Sequence, residues 1–290
     1  MMVRKGYLRR CLFTSLLLAV MTAGCYSNTT GTSNSNQANS VKNNTIKEYK
    51  LVPNGAPELA GGPENKNRNT QPLTLEQLRK KYRSNFHFSG PSTPPRVALT
   101  FDDAPDQLFT PRVLDVLKEY KVKATFFVVG NRAQKHPDII DRIVKEGHIL
   151  GNHTYNHPNL AKVSNTVFQR EVSDTQQTIK KLTGKTMRYL RPPYGNITEE
   201  QIKWLVSNKI SIVNWNVDSL DWKGLNADQV VANVMGDVRA GSIVLQHSAG
   251  GEGEDLSGTV QALPRIIKQL RDQGIELVTV PELLQKPAYK

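Results

Sequence analysis

Two adjacent carboxylates, Asp102 and Asp103, stand in "VALTFDDAPD" at the end of a run that otherwise reads as a buried strand. Two histidines, His153 and His157, stand four apart in "GNHTYNH", close enough to face one cation if the backbone turns helically there. Alone, that pair could equally be two polar loop histidines. Asp103, from another strand end, would complete a His-His-Asp set of three protein ligands with open positions left over, the pattern of a catalytic divalent-metal site. Such an ion polarises a carbonyl and acidifies water. Asp102 is then free for a second job, since a carboxylate beside a metal ligand can take a proton from water if a neighbouring cation keeps it ionised. Arg191 is the candidate cation. His247, closing "GSIVLQH", is of the residue type suited to protonating a leaving amine, and Asp218 is expected to hold it protonated.

These groups need a scaffold that brings distant segments to one place. From Arg96 onward short β-branched runs alternate with longer helical patterns. "RVALTF", "KATFFVV", "GHILGNH", "MRYLRPP", "ISIVNWNV", "GSIVLQH" and "IELVTV" read as strands. Helical patterns separate them, several followed by a capping glycine. Strand then helix, repeated about seven times, predicts an α/β protein with a parallel sheet, open or closed into a barrel. In such folds catalytic groups gather at the carboxyl ends of the strands, and "DD", "NHTYNH", "RPPYG", "DSLDW" and "QHS" all fall there.

The amino-terminal part has a different character. Arg4, Lys5, Arg9 and Arg10 precede an apolar run from Cys11 to Val20, too short for a comfortable membrane span but suited to a secretory signal over residues 1–24. "TAGC" then resembles a bacterial lipobox, with Cys25 as the lipidated first residue of the mature chain. With Cys11 removed and Cys25 acylated, no thiol remains for a disulfide or metal site, so any metal must use His, Asp or Glu. Residues 25–70 are rich in Asn, Ser, Thr, Gly, Lys and Pro and predict a flexible tether, in which "EYKLVPNG" could be a short ordered piece. Residues 71–93 form a short helical linker, with Thr74 and Gln77 spaced as a capping box. The catalytic domain is expected over residues 94–286. The net charge of +12 falls to about +8 once the signal leaves, which suits an anionic wall or membrane surface. Nothing here has the arginine-rich or aromatic-basic pattern that reads nucleic acid, so none is expected as a partner, and a monomer is expected.

In order and separation, "TFDDAP", "HTYNH", "RPPYG", "DSLDW" and "LQH" resemble the five motifs of the polysaccharide deacetylases, the NodB-type carbohydrate esterase family four. The resemblance covers about Arg96 to Leu284. It implies a distorted (β/α) barrel and metal-dependent removal of acetyl groups from N-acetylated sugars, with zinc foremost and cobalt, nickel or manganese as alternatives. It implies Asp102 as catalytic base, Asp103, His153 and His157 as metal ligands, Arg191 as orienter of the base and His247 as acid held by Asp218. The Tyr194 backbone amide would serve the oxyanion, and Pro193, Trp222 and Leu245 would line the acetyl pocket. The implied substrate is cell-wall glycan, reached from the outer face of the cell membrane through the lipid on Cys25. One position departs from the pattern: Ala104 stands where the family has glycine. If that position needs positive φ, alanine adds strain of about 1–2 kcal/mol. The alternative is then a low-activity deacetylase fold with a wall-binding or wall-stabilising role.

Overall fold

The computed structural model describes residues 72–290, with side chains from residue 75. The signal, Cys25, the tether and "EYKLVPNG" lie outside the described residues. In chain order the elements are α1 (Pro72–Lys81), β1 (Phe86–His87), β2 (Arg96–Ala104), α2 (Thr110–Glu119), β3 (Thr125–Val128), α3 (Gly130–Lys135), α4 (Pro137–Lys145) and β4 (Ile149–Asn152). There follow α5 (Asn165–Thr183), β5 (Tyr189–Leu190), α6 (Glu199–Ser207), β6 (Ser211–Val213), β7 (Val217–Asp218) and α7 (Ala227–Asp237). The domain finishes with β8 (Ile243–His247), α8 (Ser257–Asp272), β9 (Glu276–Val278) and α9 (Val280–Leu284). Helix α1 begins ahead of Thr74, so the Thr74–Gln77 pair falls inside the helix rather than at its start.

All named strand pairs are parallel, in the order β1-β6-β5-β4-β3-β2-β8-β7, with β9 also paired to β2. Central β2 is buried on both faces, as its near-continuous apolar run from Val97 to Phe101 requires. Val97, Leu99 and Phe101 pack outward in one cluster with Val113 of α2, Ile140 of α4, Val230 of α7 and Ile266 of α8. Ala98 packs inward with Phe127, Tyr189, Val213 and Ile243. Each large side chain so buried contributes about 1.5–3 kcal/mol. By the two-residue period of a strand, Thr100 and Asp102 follow Ala98 on the inner face, which turns polar towards the carboxyl end. A further cluster joins Leu78 of α1, Phe168 and Val172 of α5 and Leu205 of α6 to Phe86, Leu190 and Ile212 of the sheet.

The expected single strand "ISIVNWNV" is two strands, β6 beside the edge strand β1 near one end of the sheet and β7 at the other end. β6 pairs with β1 and β5, then Asn214 to Asn216 carry the chain across to β7, which pairs with β8. Strands from the two ends of the sheet joined by so few residues must lie close together, and this bends the sheet into a distorted barrel. Across the seam Gly90 donates to the Gly241 carbonyl at 2.8 Å and Ser89 bridges Ser242. Gly241 has φ 88, and a Cβ there would lie 2.6 Å from the Gly90 carbonyl oxygen, so the seam needs glycine at this point.

Candidate active site

Successive side chains on a strand point to opposite faces, so two adjacent aspartates should not serve one site. A bulge resolves this. Between Phe101 and Ala104 the register of β2 against β3 shifts, and Asp103 adopts φ 66. Asp102 stays in the ladder opposite His247 of β8. The positive φ thus falls on Asp103, whereas Ala104 is absent from the left-handed residues and lies fully buried in β2. The strain expected at Ala104 does not arise.

Beyond β4 the convergence of the two histidines is not helical, as its spacing had suggested. Thr154 at φ 66 and His157 at φ 59 turn the chain back on itself and bring the rings to 4.8 Å between centroids. Buried Glu171 on α5 holds this loop by accepting from the Tyr155 amide at 2.9 Å and the Asn156 amide at 2.7 Å. Nδ1 of His153 donates to the Arg191 carbonyl at 2.8 Å, and Nδ1 of His157 meets the Tyr194 hydroxyl at 3.1 Å. With Nδ1 occupied on each ring, Nε2 is the nitrogen left to face inward.

Asp103 Oδ1 lies 3.5 Å from Nε2 of His153 and 3.3 Å from Nε2 of His157. All three residues are buried, and their ligand atoms lie within 4.8 Å of one another. Asp103 Oδ1 and His157 Nε2 have no hydrogen-bond partner. Burial pushes the Asp103 carboxyl up and holds the His157 imidazole well below its ordinary value. A neutral imidazole is the ligand form, and a divalent cation fits this donor set of two nitrogens and one oxygen.

Asp102 has different company. Its Oδ1 accepts from Arg191 Nη1 at 2.7 Å, and its Oδ2 lies 3.7 Å from His153 Nε2. Arg191 is fully buried, and such a cation needs acceptors on every side. It also donates to Thr100 Oγ1 at 2.8 Å, the Val213 carbonyl at 3.1 Å and the Asn214 carbonyl at 3.3 Å, and it lies over the Phe127 ring at 4.2 Å. The guanidinium is therefore fixed, and the carboxylate with it.

The partner of His247 is Asp221, not Asp218. Nδ1 of His247 meets Asp221 Oδ1 at 2.8 Å, and Asp221 Oδ2 accepts the His247 amide at 2.8 Å and the Thr259 hydroxyl at 2.7 Å. Burial alone would raise the Asp221 carboxyl, but the His247 charge and these hydrogen bonds outweigh it and leave the pKa lowered. Asp218 ends β7 and turns Oδ1 to the Leu220 amide at 2.9 Å. Leu220, at φ 55, then reverses the chain so that the second acid of "DSLDW" faces β8. The motif offers two carboxylates three apart, and its spacing alone does not choose between them.

The remaining expected positions lie in the same strand-end loops. Pro193 and Tyr194 follow β5, both buried, with Tyr194 at φ 60. Leu245 is buried in β8, two residues before His247, and Trp222 is half-buried in the turn beside Asp221. Sequence reasoning missed Asp221, Glu171, Thr259 and the fully buried Arg132 of α3.

A family model described as Polysaccharide deacetylase matches residues 89–213. A peptidoglycan-N-acetylglucosamine deacetylase of Bacillus cereus is 48% identical over 200 residues, 69% of this chain and 72% of that protein. The chain belongs to the polysaccharide deacetylase family. PdaC of Bacillus subtilis, a peptidoglycan-N-acetylmuramic acid deacetylase, is 40% identical over 187 residues, 64% of this chain and 38% of that protein. The structure of the Bc1960 peptidoglycan N-acetylglucosamine deacetylase resembles this fold with a TM-score of 0.72 at 46% identity, covering 75% of this chain and 100% of that one. The family match ends before Asp221 and His247, so the hydrogen-bonded pair at β8 extends the site beyond it.

Proposed function

We propose that the chain removes N-acetyl groups from cell-wall glycan and releases acetate, acting first on N-acetylglucosamine of peptidoglycan. N-acetylmuramic acid and chitin-like oligomers are the related substrates. The observation that carries this reading is the division of the doublet: Asp102 is bound to a buried arginine, while Asp103 faces two imidazole nitrogens. The relatives' named activities support the substrate class.

When bound by Asp103, His153 and His157, a divalent ion, zinc foremost, polarises the acetyl carbonyl and lowers the pKa of water. Asp102, paired with Arg191 and oriented by it, takes the proton of the attacking water as its oxygen adds to the acetyl carbon. The Tyr194 amide stabilises the resulting oxyanion, and one such donor contributes about 3 kcal/mol. His247, oriented through Nδ1 by Asp221, gives a proton from Nε2 to the nitrogen as the C–N bond breaks. Acetate leaves and the sugar keeps a free amine. Pro193, Trp222 and Leu245 border the acetyl methyl.

The enzyme works as a monomer on the outer face of the membrane, anchored by lipid at Cys25 and reaching the wall through its tether. The lipobox-like "TAGC" and the basic charge support this location. The wall-binding alternative rested on Ala104, whose ordinary φ leaves it without support. Zinc-loaded full chain incubated with purified peptidoglycan should release acetate, with new amines on glucosamine by mass spectrometry. Amines on muramic acid would reassign the sugar, and no acetate would overturn the proposal.

A further inference from the structure

Arg132 takes no part in the ligand set or the proton transfers, yet it is only 1% exposed. A guanidinium buried this deeply is costly unless its N–H groups find acceptors. It rises from α3 and donates through Nη1 to the Asp103 carbonyl at 3.1 Å and through Nη2 to the Gly250 carbonyl at 2.7 Å. The first carbonyl belongs to the metal-facing aspartate at the end of β2. The second belongs to the loop between β8 and α8, three residues after His247.

Both ends of this bridge need holding. Asp103 sits at φ 66, a region that residues other than glycine avoid, and there the β2 ladder is interrupted between Phe101 and Ala104. A hydrogen bond to its carbonyl fixes the peptide plane that follows it, and with that plane the aim of its side chain. On the far side, Glu254 Oε2 accepts the Gly251 amide at 2.8 Å and folds the loop over Gly250. A Cβ at Gly250 would lie 2.7 Å from that oxygen and 2.9 Å from the Glu254 Cβ, so a side chain there would force Glu254 or the loop to shift.

We infer that Arg132 is a positioning residue for the metal centre: it clasps the Asp103 main chain to the β8–α8 loop and so sets the aim of the carboxylate at the point where His153 and His157 converge. This rests on the metal-dependent reading above. A residue that only filled the core would change the stability of the metal-free protein and leave its affinity for a cation alone.

The test is zinc affinity of the purified full chain, measured by competition with a chromophoric chelator, alongside melting of the metal-free protein. Arg132→Met should weaken zinc binding 10- to 100-fold, the range seen when a group that orients a ligand is lost. Arg132→Lys, which keeps the charge and one donor, should recover part of that loss. Gly250→Ala, which crowds Glu254 and so disturbs the loop that Arg132 holds, should weaken binding in the same direction by less. Should Arg132→Met fail to fold, the two milder variants carry the comparison. Zinc affinity within twofold of wild type in the folded variants, with only the melting temperature lowered, overturns the inference, as does a wild-type chain that binds no zinc. Wild type that binds zinc but releases no acetate defeats the deacetylase proposal and leaves the clasp standing.

Discussion

Strand β4 has a histidine at each end, His148 and His153, both 3% exposed, and their surroundings differ in kind. At the amino end, His148 Nδ1 accepts the Ala124 amide at 3.1 Å, which places its proton on Nε2. That nitrogen points to a single carboxylate, Glu146 Oε2, at 3.9 Å. At the carboxyl end, His153 donates from Nδ1 to the Arg191 carbonyl, and the lone pair is left on Nε2. That nitrogen converges with an aspartate oxygen and a second imidazole. Burial therefore does not separate a structural histidine from a ligand. What separates them is which backbone group meets Nδ1, an amide that donates to it or a carbonyl that accepts from it, because this selects the tautomer and hence the capacity to bind a cation.

The largest effects should come from the carboxyl ends of the strands, where His247 of β8 has its own carboxylate in Asp221. His247→Ala should lower the acetate release rate by ~10²–10⁴-fold, the range for a lost general acid. Asp221→Asn should cost ~10–100-fold, and Asp218→Asn much less than Asp221→Asn. Equal losses from the two asparagine variants would undo the assignment of Asp221.

Metal-dependent stability divides the two ends of β4 directly. An ion at a thousand times its Kd adds about 4 kcal/mol to the folded state. Thermal unfolding with and without zinc should show that gain in His148→Gln and lose it in His153→Gln. A gain retained by His153→Gln would remove that histidine from the ligand set.

The amino end should reveal itself through pH instead. Burial, with the Lys123 charge adding to it, lowers the pKa of His148 to about 4. The unfolded chain, with an ordinary histidine near 6.5, therefore binds more protons than the folded chain between these values. Stability from this group is complete above about pH 6.5 and declines as pH falls towards 4, by roughly 3 kcal/mol at most. Chemical denaturation across that range should give a flatter profile for His148→Gln. An unchanged slope would place the acid sensitivity elsewhere, with His87, also lowered to about 4 by burial, the next group to replace.

Ala104 should give the smallest effect. Its φ is ordinary and its methyl is buried among apolar groups, so Ala104→Gly should destabilise by about 1 kcal/mol without raising acetate release more than twofold. A large rise in activity would mean that alanine does strain the doublet.

The order of strands and helices was legible in the sequence because the outer helices carry an apolar face and the central strands short, largely apolar runs. Two features were hidden for definite reasons. β1 has only two residues, Phe86 and His87, too few to show a period. "ISIVNWNV" keeps its strand pattern through Asn214 to Asn216, although the chain changes partners there, because pairing is decided by tertiary contact. At the site, the residue types of the doublet, the two histidines, Arg191 and His247 declared their chemistry. Their aim did not. It depends on left-handed residues at Asp103, Thr154, His157, Tyr194 and Leu220, none of them glycine, whose conformations are imposed by surrounding hydrogen bonds. The choice of Asp221 over Asp218 follows from the turn at Leu220, and Arg132 from carbonyl partners far away in the sequence.

The central claim is that the adjacent aspartates do separate work, and Asp102→Asn tests it most directly when bound zinc and acetate release are measured on the same sample. The expected result is one zinc per chain with acetate release lowered by ~10²–10⁴-fold, because the ligands remain and the proton acceptor is gone. Acetate release near the wild-type rate, or loss of the zinc, would contradict it.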